Sequence, residues 1–441
     1  MKQEAKKYVD GYKAFLAEAK TERRAYAAAV RLLEKAGFRE LKGVKRLKAG
    51  DKVWRGYHGK TLFAAVVGRA ETAAGVRVVG GHTDAPRLDL KPKPLYEKGG
   101  ITYFDTHIYG GIKKYQWLVL PLALYGTVAK KDGTRVDVAI GDAPGDPAFM
   151  ISDILPHFGK EQLEKKVKDA VAAEDMDVIA GLDKIEDILK EKYGVEKDDL
   201  LSAELEIVPA GAPRDVGLDR ALVAAYGHDD RVCAYAGLAA LIDVARAKTV
   251  PARTCAVVLC DKEEIGSVGA SGMESSFFEN SVAELLDREG GARDIDVRRA
   301  LEASQMLSAD VCAASDPHFP DADSVGNEAR LGKGPCIIKY TGPATKSGAS
   351  DARAEFIAAL RRVLDDAGVT WQMGELGRAE KGGGGTIAKF MARFGMDVVD
   401  FGTPLLNMHA PWELASAEDC WNTNRAYHAF FTAPAAALKV E

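Results

Sequence analysis

Residues 76–84 read VRVVGGHTD. The first six positions are almost all apolar or glycine, which is typical of a strand buried on both faces of a sheet. The run LFAAVVG at 62–68 predicts a second strand, and TCAVVLC at 254–260 predicts a third. His82 and Asp84 follow the first strand directly. Because the ligands of open α/β sheets gather at the carboxyl ends of strands, this stretch predicts both a fold and the place of a site.

Predicted helices and strands alternate along most of the chain. Residues 2–37 have helical spacing, and Thr21 followed by Glu22 marks the start of a second helix. Strands that alternate with helices predict an α/β fold with a mainly parallel sheet sandwiched by helices. The later predicted elements are a helix at 231–247, a helix at 290–306, a strand at 335–341, a helix at 350–367, a strand at 396–402 and a helix at 416–437.

Residues 94–218 have a different pattern. Short apolar runs are separated by glycine and turn residues, and KKDG at 130–133 predicts a hairpin turn. The charged stretches at 160–177 and 183–194 predict two solvated amphipathic helices. The chain is therefore predicted to form one α/β domain from residues 1–93 plus 219–441, interrupted by an inserted β-rich domain at 94–218.

The composition is that of an ordinary soluble globular protein, with 441 residues, 47% hydrophobic and 28% charged, and a net charge of −5. No basic stripe indicates nucleic-acid binding. The longest apolar run is far shorter than the ~20 residues of a membrane span, and the N-terminus lacks a secretory pattern. The six cysteines include no CxxC pair, which favours reduced core residues in a cytoplasmic protein.

Histidine and acidic residues cluster where predicted strands end or helices begin. Each has an ordinary explanation by itself, as a hydrogen-bonded core histidine, a charged surface loop or a helix cap. Together they offer two histidines and several carboxylates, a donor set that suits zinc, cobalt or manganese better than magnesium or calcium. The set comprises His82 and Asp84, Asp229 and Asp230, Asp261, Glu263 and Glu264, Asp310, and His409.

Three pairs within this set suit specific tasks. The carboxylate of Asp84 can accept the second N–H of the His82 imidazole and fix its tautomer, as metal-bound histidines require. The adjacent side chains of residues 263 and 264 diverge, so that one can bind a metal while the other holds a proton. One carboxylate of the pair at 229 and 230 can bridge two metal ions at the ~3.5–4 Å spacing of two-metal hydrolases.

Taken in order, six segments resemble the aspartyl aminopeptidase family of co-catalytic zinc exopeptidases, in particular its bacterial branch. The resemblance extends over essentially the whole chain, and the order of the segments is specific although each segment alone is not. It implies an aminopeptidase that uses two divalent metal ions per subunit, zinc or alternatively cobalt or manganese, to cut single residues from the N-termini of peptides. The segments are GGHTDAPRLDLKP from Gly80, GHDDR from Gly227, DKEEIGS from Asp261, LSAD from Leu307, GGGGT from Gly382 and PLLNMH from Pro404.

The resemblance also assigns a role to each candidate residue. It implies a general base that takes a proton from a metal-bridging water, and a cis peptide bond after the bridging aspartate. The assignments are His82 and Asp310 for one metal, Glu264 and His409 for the other, Asp229 as the bridge, Glu263 as the general base, and Asp84 as the carboxylate that orients His82.

An assembly is implied as well. The inserted domain matches the family's dimerisation domain, and dimers of the family build tetrahedral dodecamers. The segment ISDILPHF would then supply His157 to the active site of a neighbouring subunit. The resemblance places the glycine run, with Gly385 and Thr386, near the substrate cleft, where Lys381 or Arg378 could select an acidic side chain.

Other functions remain open from the sequence. A related metallohydrolase, such as a glutamyl or deblocking aminopeptidase or an amidohydrolase, would share the metal site and differ in substrate. A non-catalytic assembly or cargo protein would share the fold, although the complete set of ligands and base argues against it. The sequence does not decide between an acidic and a neutral residue at the cleaved position.

Overall fold

The computed structural model describes residues 3–182, 184–342, 349–378 and 383–438. Within these ranges the chain forms three sheets, of nine, six and five strands. The strands are β1 Arg39–Glu40, β2 Lys52–Tyr57, β3 Thr61–Val66, β4 Arg77–His82, β5 Arg87–Lys98, β6 Ile101–Tyr109, β7 Leu122–Ala129, β8 Arg135–Ile140, β9 Val178–Gly181, β10 Ala203–Pro209, β11 Arg214–Val216, β12 Leu222–Ala225, β13 Cys255–Cys260, β14 Gln305–Ser308, β15 Cys312–Ala313, β16 Cys336–Ile338, β17 Gln372–Gly374, β18 Asp397–Gly402, β19 Pro404–Leu406 and β20 Glu413–Ser416.

The α-helices pack mainly against the nine-stranded sheet. Thr21 caps the second helix, accepting a hydrogen bond from the backbone N–H of Arg24, so the predicted helix start is confirmed. The helices are α1 Gln3–Glu18, α2 Glu22–Lys35, α3 Lys160–Leu163, α4 Ile185–Tyr193, α5 His228–Arg246, α6 Phe277–Gly290, α7 Asp294–Glu302, α8 Ala354–Asp366, α9 Ala388–Ala392 and α10 Ala417–Thr432.

The nine-stranded sheet has the order β1-β2-β3-β13-β4-β14-β18-β16-β17. Its four central strands, β13, β4, β14 and β18, are parallel to one another. Antiparallel pairs occur toward both edges, at β2–β3, β3–β13 and β16–β18. This arrangement confirms the predicted α/β fold with a mainly parallel sheet, and it brings the carboxyl ends of the central strands together at one edge.

Helices cover both faces of this sheet because alternate residues of each strand point to opposite sides. Val79 belongs to one core cluster with residues of α5, α8 and α10, while Val78 belongs to another with residues of α6, α7 and α9. Leu307 and Met306 of β14 divide between the same two clusters. Full burial of one such side chain stabilises the folded state by roughly 1.5–3 kcal/mol of free energy. Both faces of the central strands are therefore mostly apolar.

The six-stranded sheet, in the order β8-β7-β10-β5-β6-β9, is antiparallel throughout. It has its own core around Trp117, Leu124 and Ile207. The hairpin of β7 and β8 turns at 130–133, as the KKDG segment predicts. Strand β5 begins at Arg87 and so crosses residue 93, the end of the first predicted segment. The division of the chain at 93/94 and 218/219 stays a prediction.

The five-stranded sheet, in the order β11-β12-β20-β19-β15, was missing from the sequence prediction. Its strands contain two to four residues each. Such short strands leave no clear alternation of apolar and polar residues in the sequence. The sheet matters for function because two of its turns carry candidate site residues.

Two helix predictions were wrong in part. The predicted helix at 290–306 comprises only Asp294–Glu302, because the residues after it form β14 between β4 and β18. A short apolar run such as this does not distinguish a strand from a buried helix end. The stretch 160–177 contains only the one-turn helix Lys160–Leu163 and short 3₁₀ turns. Most of its side chains are exposed, and helices without a buried face gain little stability from packing.

All six cysteines are buried free thiols, as predicted. Among the described residues, none of the helices combines the length and the hydropathy that a membrane crossing requires.

Candidate metal centre

The first group of candidate residues lies at the carboxyl ends of the central strands. His82 is the last residue of β4 and pairs in register with Cys260, the last residue of β13. A 3₁₀ turn, Glu263–Ile265, follows β13, and Asp310 follows β14 by two residues. The sequence-predicted histidine and carboxylates therefore meet at one edge because their strands are parallel neighbours.

Asp229 reaches the same edge from the five-stranded sheet. It follows β12 and lies at the start of α5, where its backbone angles and those of Asp230 are non-helical. The peptide bond between them is cis, as the resemblance implied. Gly227 has a φ of +74°, where residues with a side chain are strained, and a Cβ there would have to displace the Arg231 guanidinium.

His409 comes from the turn between β19 and β20. Its own φ is +64°, in the left-handed region. Its backbone N–H donates to Glu413 Oε1 at 2.8 Å, and its ring Nδ1 lies 3.0 Å from the carbonyl oxygen of Gly111. Because a carbonyl can only accept, Nδ1 carries the proton and Nε2 is directed toward the cluster.

The candidate ligand atoms converge around Asp229. Its Oδ1 lies 3.1 Å from His82 Nε2, and its Oδ2 lies 3.3 Å from His409 Nε2. Asp310 Oδ1 approaches His82 Nε2 at 3.8 Å, while Glu264 Oε2 approaches His409 Nε2 at 3.4 Å. One ligand atom each from His82, Asp229 and Glu264 lies within 4.8 Å of the others. The structure thus brings together all five residues that the resemblance assigned to metals.

The donor set and spacing fit zinc. Ligands bound at about 2.0–2.1 Å with tetrahedral angles are separated by about 3.3 Å, which is close to the spacing of these atoms. Glu264 Oε1 is buried and has no hydrogen-bond partner among the residues that the structure describes. A buried carboxylate oxygen without a donor is costly unless a cation or a proton neutralises it.

Asp84 connects His82 with the turn that carries the two glutamates. Its side chain lies 3.3 Å from His82 Nδ1, and its backbone carbonyl lies 3.0 Å from the same nitrogen. Its two carboxylate oxygens accept the backbone N–H groups of Glu263 and Glu264, each at 3.2 Å. Asp84 therefore holds both the imidazole and the glutamate turn in place.

The pKa values of the cluster reflect burial and crowding of like charges. Burial raises the pKa of Glu263 to about 8, with the carboxylates of Asp310 and Asp84 adding to the shift. Burial and the charge of Asp229 raise the pKa of Glu264. Burial lowers the pKa of His409, but the hydrogen bond to Asp229 and the charge of Glu264 more than offset this and raise it to about 10. Protons and metal ions therefore compete for the same atoms.

The candidate substrate contacts lie apart from the cluster or only partly within the described residues. His157 is exposed on a turn of the six-stranded domain. Gly385 is exposed, and Thr386 is half-buried, with its hydroxyl accepting the backbone N–H of Ala388. Lys381 and the first glycine of the GGGGT run lie outside the described residues.

Sequence reasoning missed two residues that hold the cluster. Glu413 is buried, and its carboxylate accepts the backbone N–H groups of Asp229 at 3.0 Å and of His409 at 2.8 Å. Tyr109 donates from its hydroxyl to Asp84 Oδ2 at 2.8 Å. Neither residue directly follows a predicted strand of the main sheet, which is the position that identified most of the other candidates. Glu413 does lie four residues after His409, which is the one hint that the sequence contains.

His228 directly precedes Asp229 but has a structural role. Its Nε2 lies 3.1 Å from the carbonyl oxygen of Val223 and its Nδ1 lies 2.6 Å from the Tyr12 hydroxyl. Burial lowers its pKa to about 4, so it is neutral at physiological pH. Both ring nitrogens are engaged away from the cluster.

Comparison with known proteins gives consistent matches over the whole chain. The sequence profile of the aminopeptidase I zinc metalloprotease (M18) family matches residues 15–431. A probable M18 family aminopeptidase 1 from Clostridium acetobutylicum is 46% identical over 438 residues, covering 96% of this chain and 93% of the relative. The crystal structure of an M18 family aminopeptidase from Thermotoga maritima superposes with a TM-score of 0.94 at 40% identity, covering 98% of this chain and 97% of that chain. A dodecamer of mApe1 from S. cerevisiae shares the fold, with a TM-score of 0.78 at 21% identity over 98% of this chain and 97% of that chain.

These matches confirm the resemblance seen in the sequence. The family description names zinc, which agrees with the nitrogen and oxygen donors gathered around Asp229. The chain therefore belongs to the M18 family of zinc metalloproteases and is a metalloaminopeptidase, a hydrolase that acts on N-termini.

Proposed function

We propose that this aminopeptidase works with a dinuclear metal centre and uses Glu263 as its general base. The observation that carries the proposal is the orientation of Asp229, whose two carboxylate oxygens face different imidazoles at 3.1 and 3.3 Å. A carboxylate presented in this way can bind one cation with each oxygen, as in two-metal hydrolases.

The proposed ligands divide into two groups around the bridge. His82 and Asp310 lie on the Oδ1 side of Asp229, and Glu264 and His409 lie on its Oδ2 side. When bound, the two cations would supply a water of lowered pKa and would polarise the scissile carbonyl.

Glu263 is suited to move the proton. Its backbone is held by Asp84, and its burial keeps its pKa near 8, close to the pH at which a general base is most effective. The positive charge of nearby cations lowers the pKa of a carboxylate, which favours the basic form at neutral pH. Glu263 would take a proton from the attacking water and return it to the departing amine.

Restriction to the first residue of a peptide follows from the surroundings of the cluster. His82, Asp229 and the side chain of Glu264 are buried, while His409 is 37% exposed and marks the open side. The free α-amine of a peptide is a cation that can lie against these carboxylates. A substrate with further residues before the position of this α-amine would have to extend into the buried ends of the strands.

Two preferences remain as alternatives for the cleaved residue, acidic or neutral. The side chain of Arg378 donates to the carbonyl oxygen of Asp323 at 3.0 Å and lies 3.8 Å from Asp321, so its charge is already partly engaged. A panel of aminoacyl-anilides with acidic, neutral and N-acylated residues, assayed with each metal in turn, would decide between them and would also detect an amidohydrolase.

The substitution Glu263→Gln tests the proposed mechanism. It keeps the shape of the side chain and removes the base, so we expect kcat to fall by roughly 10²–10⁴-fold while two metal ions per chain remain bound. Metal content measured by mass spectrometry separates this effect from loss of metal. Glu274→Gln, a change at an exposed glutamate nearby, is the control and should leave kcat unchanged. Turnover of Glu263→Gln at the wild-type rate would refute the assignment.

The proposed assembly is a homo-oligomer, in which dimers form a tetrahedral dodecamer in the cytoplasm. The S. cerevisiae dodecamer with the same fold supports this proposal. Exposed apolar side chains lie close to His157 in the sequence, namely Ile154, Leu155 and Phe158, and would be covered by a partner. Light scattering tests the assembly, and a monomer would also remove the basis for a contact of His157 in trans.

A further inference from the structure

Residues 109–111, where the chain leaves β6 of the six-stranded sheet, lie against the metal centre. This segment makes three contacts with the cluster. The Tyr109 hydroxyl donates to Asp84 Oδ2 at 2.8 Å. A Cβ at Gly110 would lie 3.4 Å from the Cβ of Glu264, so the backbone passes directly against that residue. The carbonyl oxygen of Gly111 lies 3.0 Å from His409 Nδ1.

These contacts reach both imidazoles of the cluster. The Tyr109 hydroxyl influences the orientation of His82 indirectly. It donates to the Asp84 carboxylate, which also lies 3.3 Å from His82 Nδ1. Gly111 acts on His409 directly and fixes the tautomer that directs Nε2 toward Asp229. Residues from a single strand end therefore orient the two histidines that lie on opposite sides of the bridge.

The segment is itself held firmly. Tyr109 is 8% exposed, and the Arg87 guanidinium stacks on its ring with 3.8 Å between the guanidinium carbon and the ring centroid. Arg87 in turn lies 3.3 Å from Glu206 and 3.5 Å from Glu22, so the stack is embedded in a buried network of charges. Gly110 has a φ of +72°, a conformation that residues with a side chain rarely adopt.

From these contacts we infer that residues 109–111 are the positioning element that couples the six-stranded domain to the metal centre. Tyr109 sets the position of His82 through Asp84, and Gly111 sets that of His409. The inference rests on the proposed function, since it assigns both histidines to metals. It predicts that small changes in this segment alter metal binding although none of its side chains is a metal ligand.

Tyr109→Phe and Gly110→Ala test the inference, and the chain offers a matched control for each. Tyr125→Phe removes a similar bond, from a tyrosine hydroxyl to Asp142 at 2.6 Å, in the same sheet. Gly133→Ala places a side chain at a similar φ of +86°, in the β7–β8 turn with no atom within 4 Å. The controls reproduce the lost hydrogen bond and the backbone strain without a contact to the cluster.

The measurements are the affinity for cobalt(II), by competition with a chelator, and the visible absorption spectrum of the cobalt-loaded protein. Residues that orient metal ligands typically contribute about 10–100-fold in metal affinity. We expect Tyr109→Phe to weaken cobalt binding by roughly 10-fold and Gly110→Ala to weaken it by roughly 100-fold. The spectrum should shift in both. The zinc-loaded Tyr109→Phe variant should lose kcat with little change in KM.

Each outcome decides the inference. Affinities and spectra of Tyr109→Phe and Gly110→Ala that match those of the controls would overturn it, as would equal weakening in all four variants, which would indicate only general instability of the sheet. If Gly110→Ala does not fold, the conservative Tyr109→Phe decides alone. The proposed function fails separately, if the wild-type chain binds a single metal ion or if Glu263→Gln keeps full turnover.

Discussion

Strand β4 has a buried basic residue at each end, and the two ends serve different purposes. At the amino end, the guanidinium of Arg77 is fully buried and donates to the backbone carbonyls of Phe430, Phe431, Ala433 and Pro434, where α10 ends. Burial lowers the pKa of Arg77 to about 10, so it stays charged at neutral pH. At the carboxyl end, His82 faces the carboxylates of Asp229 and Asp310.

The difference lies in the partners. Neutral carbonyls at a helix C-terminus carry a partial negative charge, which complements the fixed positive charge of Arg77. At the carboxyl end several carboxylates are packed around two imidazoles, and no described residue donates a hydrogen bond to Glu264 Oε1. A buried charge with fixed protein partners stabilises the fold, whereas carboxylates in excess of their donors indicate a place for a cation. Four predictions test this contrast.

The largest effect is expected for His82→Ala. His82 is a proposed ligand, so its loss should remove metal from the centre. A bound metal contributes several kcal/mol of transition-state stabilisation, so activity should fall by roughly 10³-fold or more. Metal content should fall with it. The control is His318→Ala, at a histidine that is 88% exposed and outside the cluster. A variant that lacks the His82 imidazole but still binds two metal ions would contradict the ligand assignment.

Arg77→Met should destabilise the protein without a direct effect on chemistry. The change leaves four buried carbonyls at the end of α10 without their donor, which should lower the free energy of unfolding by about 3 kcal/mol. Denaturant titration measures the loss, and kcat per folded molecule should stay at the wild-type value. Arg298→Met is the control, because its exposed ion pair with Asp294 should contribute less than about 1 kcal/mol. If Arg77→Met loses metal while its free energy of unfolding stays at the wild-type value, the two ends of β4 are not independent.

Glu413→Gln should weaken metal binding by a smaller factor. The amide keeps one acceptor oxygen, so one of the two backbone N–H groups of Asp229 and His409 loses its partner. Residues that support metal ligands contribute about 10–100-fold in affinity, and we expect the lower value here because half of the contact remains. Calorimetric zinc titration measures it. Glu418→Gln, at an exposed glutamate of α10, should bind zinc like the wild type.

The smallest expected effect is a pH dependence of the Tm in protein from which a chelator has removed the metal. The pKa of His409 is about 10, above its ordinary value, so its protonated form stabilises the folded state. That contribution is complete below about pH 6.5 and is lost as the pH rises toward 10. We expect the Tm of stripped protein to fall over this interval, and to fall less in His409→Asn. If the Tm falls equally with pH in both proteins, the raised pKa of His409 is contradicted.

The sequence was sufficient for the parts of the molecule that are regular and buried on both faces. Strands β4 and β13 were predicted because nearly every residue is apolar, and the helix after Asp230 because its apolar spacing is helical. Strand β14 and the five-stranded sheet were not predicted because their strands are short, so packing against neighbours and not local pattern decides their conformation.

The candidate site divides in the same way. His82, Asp84, Glu263 and Glu264 could be chosen because they directly follow strands whose parallel order brings their carboxyl ends together. Residue types alone also indicated the metal, since nitrogen and oxygen donors without cysteine favour a divalent ion such as zinc. Asp229, Asp310 and His409 were candidates too, and the family resemblance supplied their separate roles.

What the sequence determined by itself was the α/β class, the core strands and the chemistry of the donors, because these depend on residue type and short spacing. Only the tertiary structure decided which oxygen of Asp229 faces which imidazole, that Glu413 holds the backbones of Asp229 and His409, and that residues 109–111 reach both histidines. These contacts join residues that are far apart in the chain. Their geometry depends on how three sheets pack together, and no local pattern contains that information.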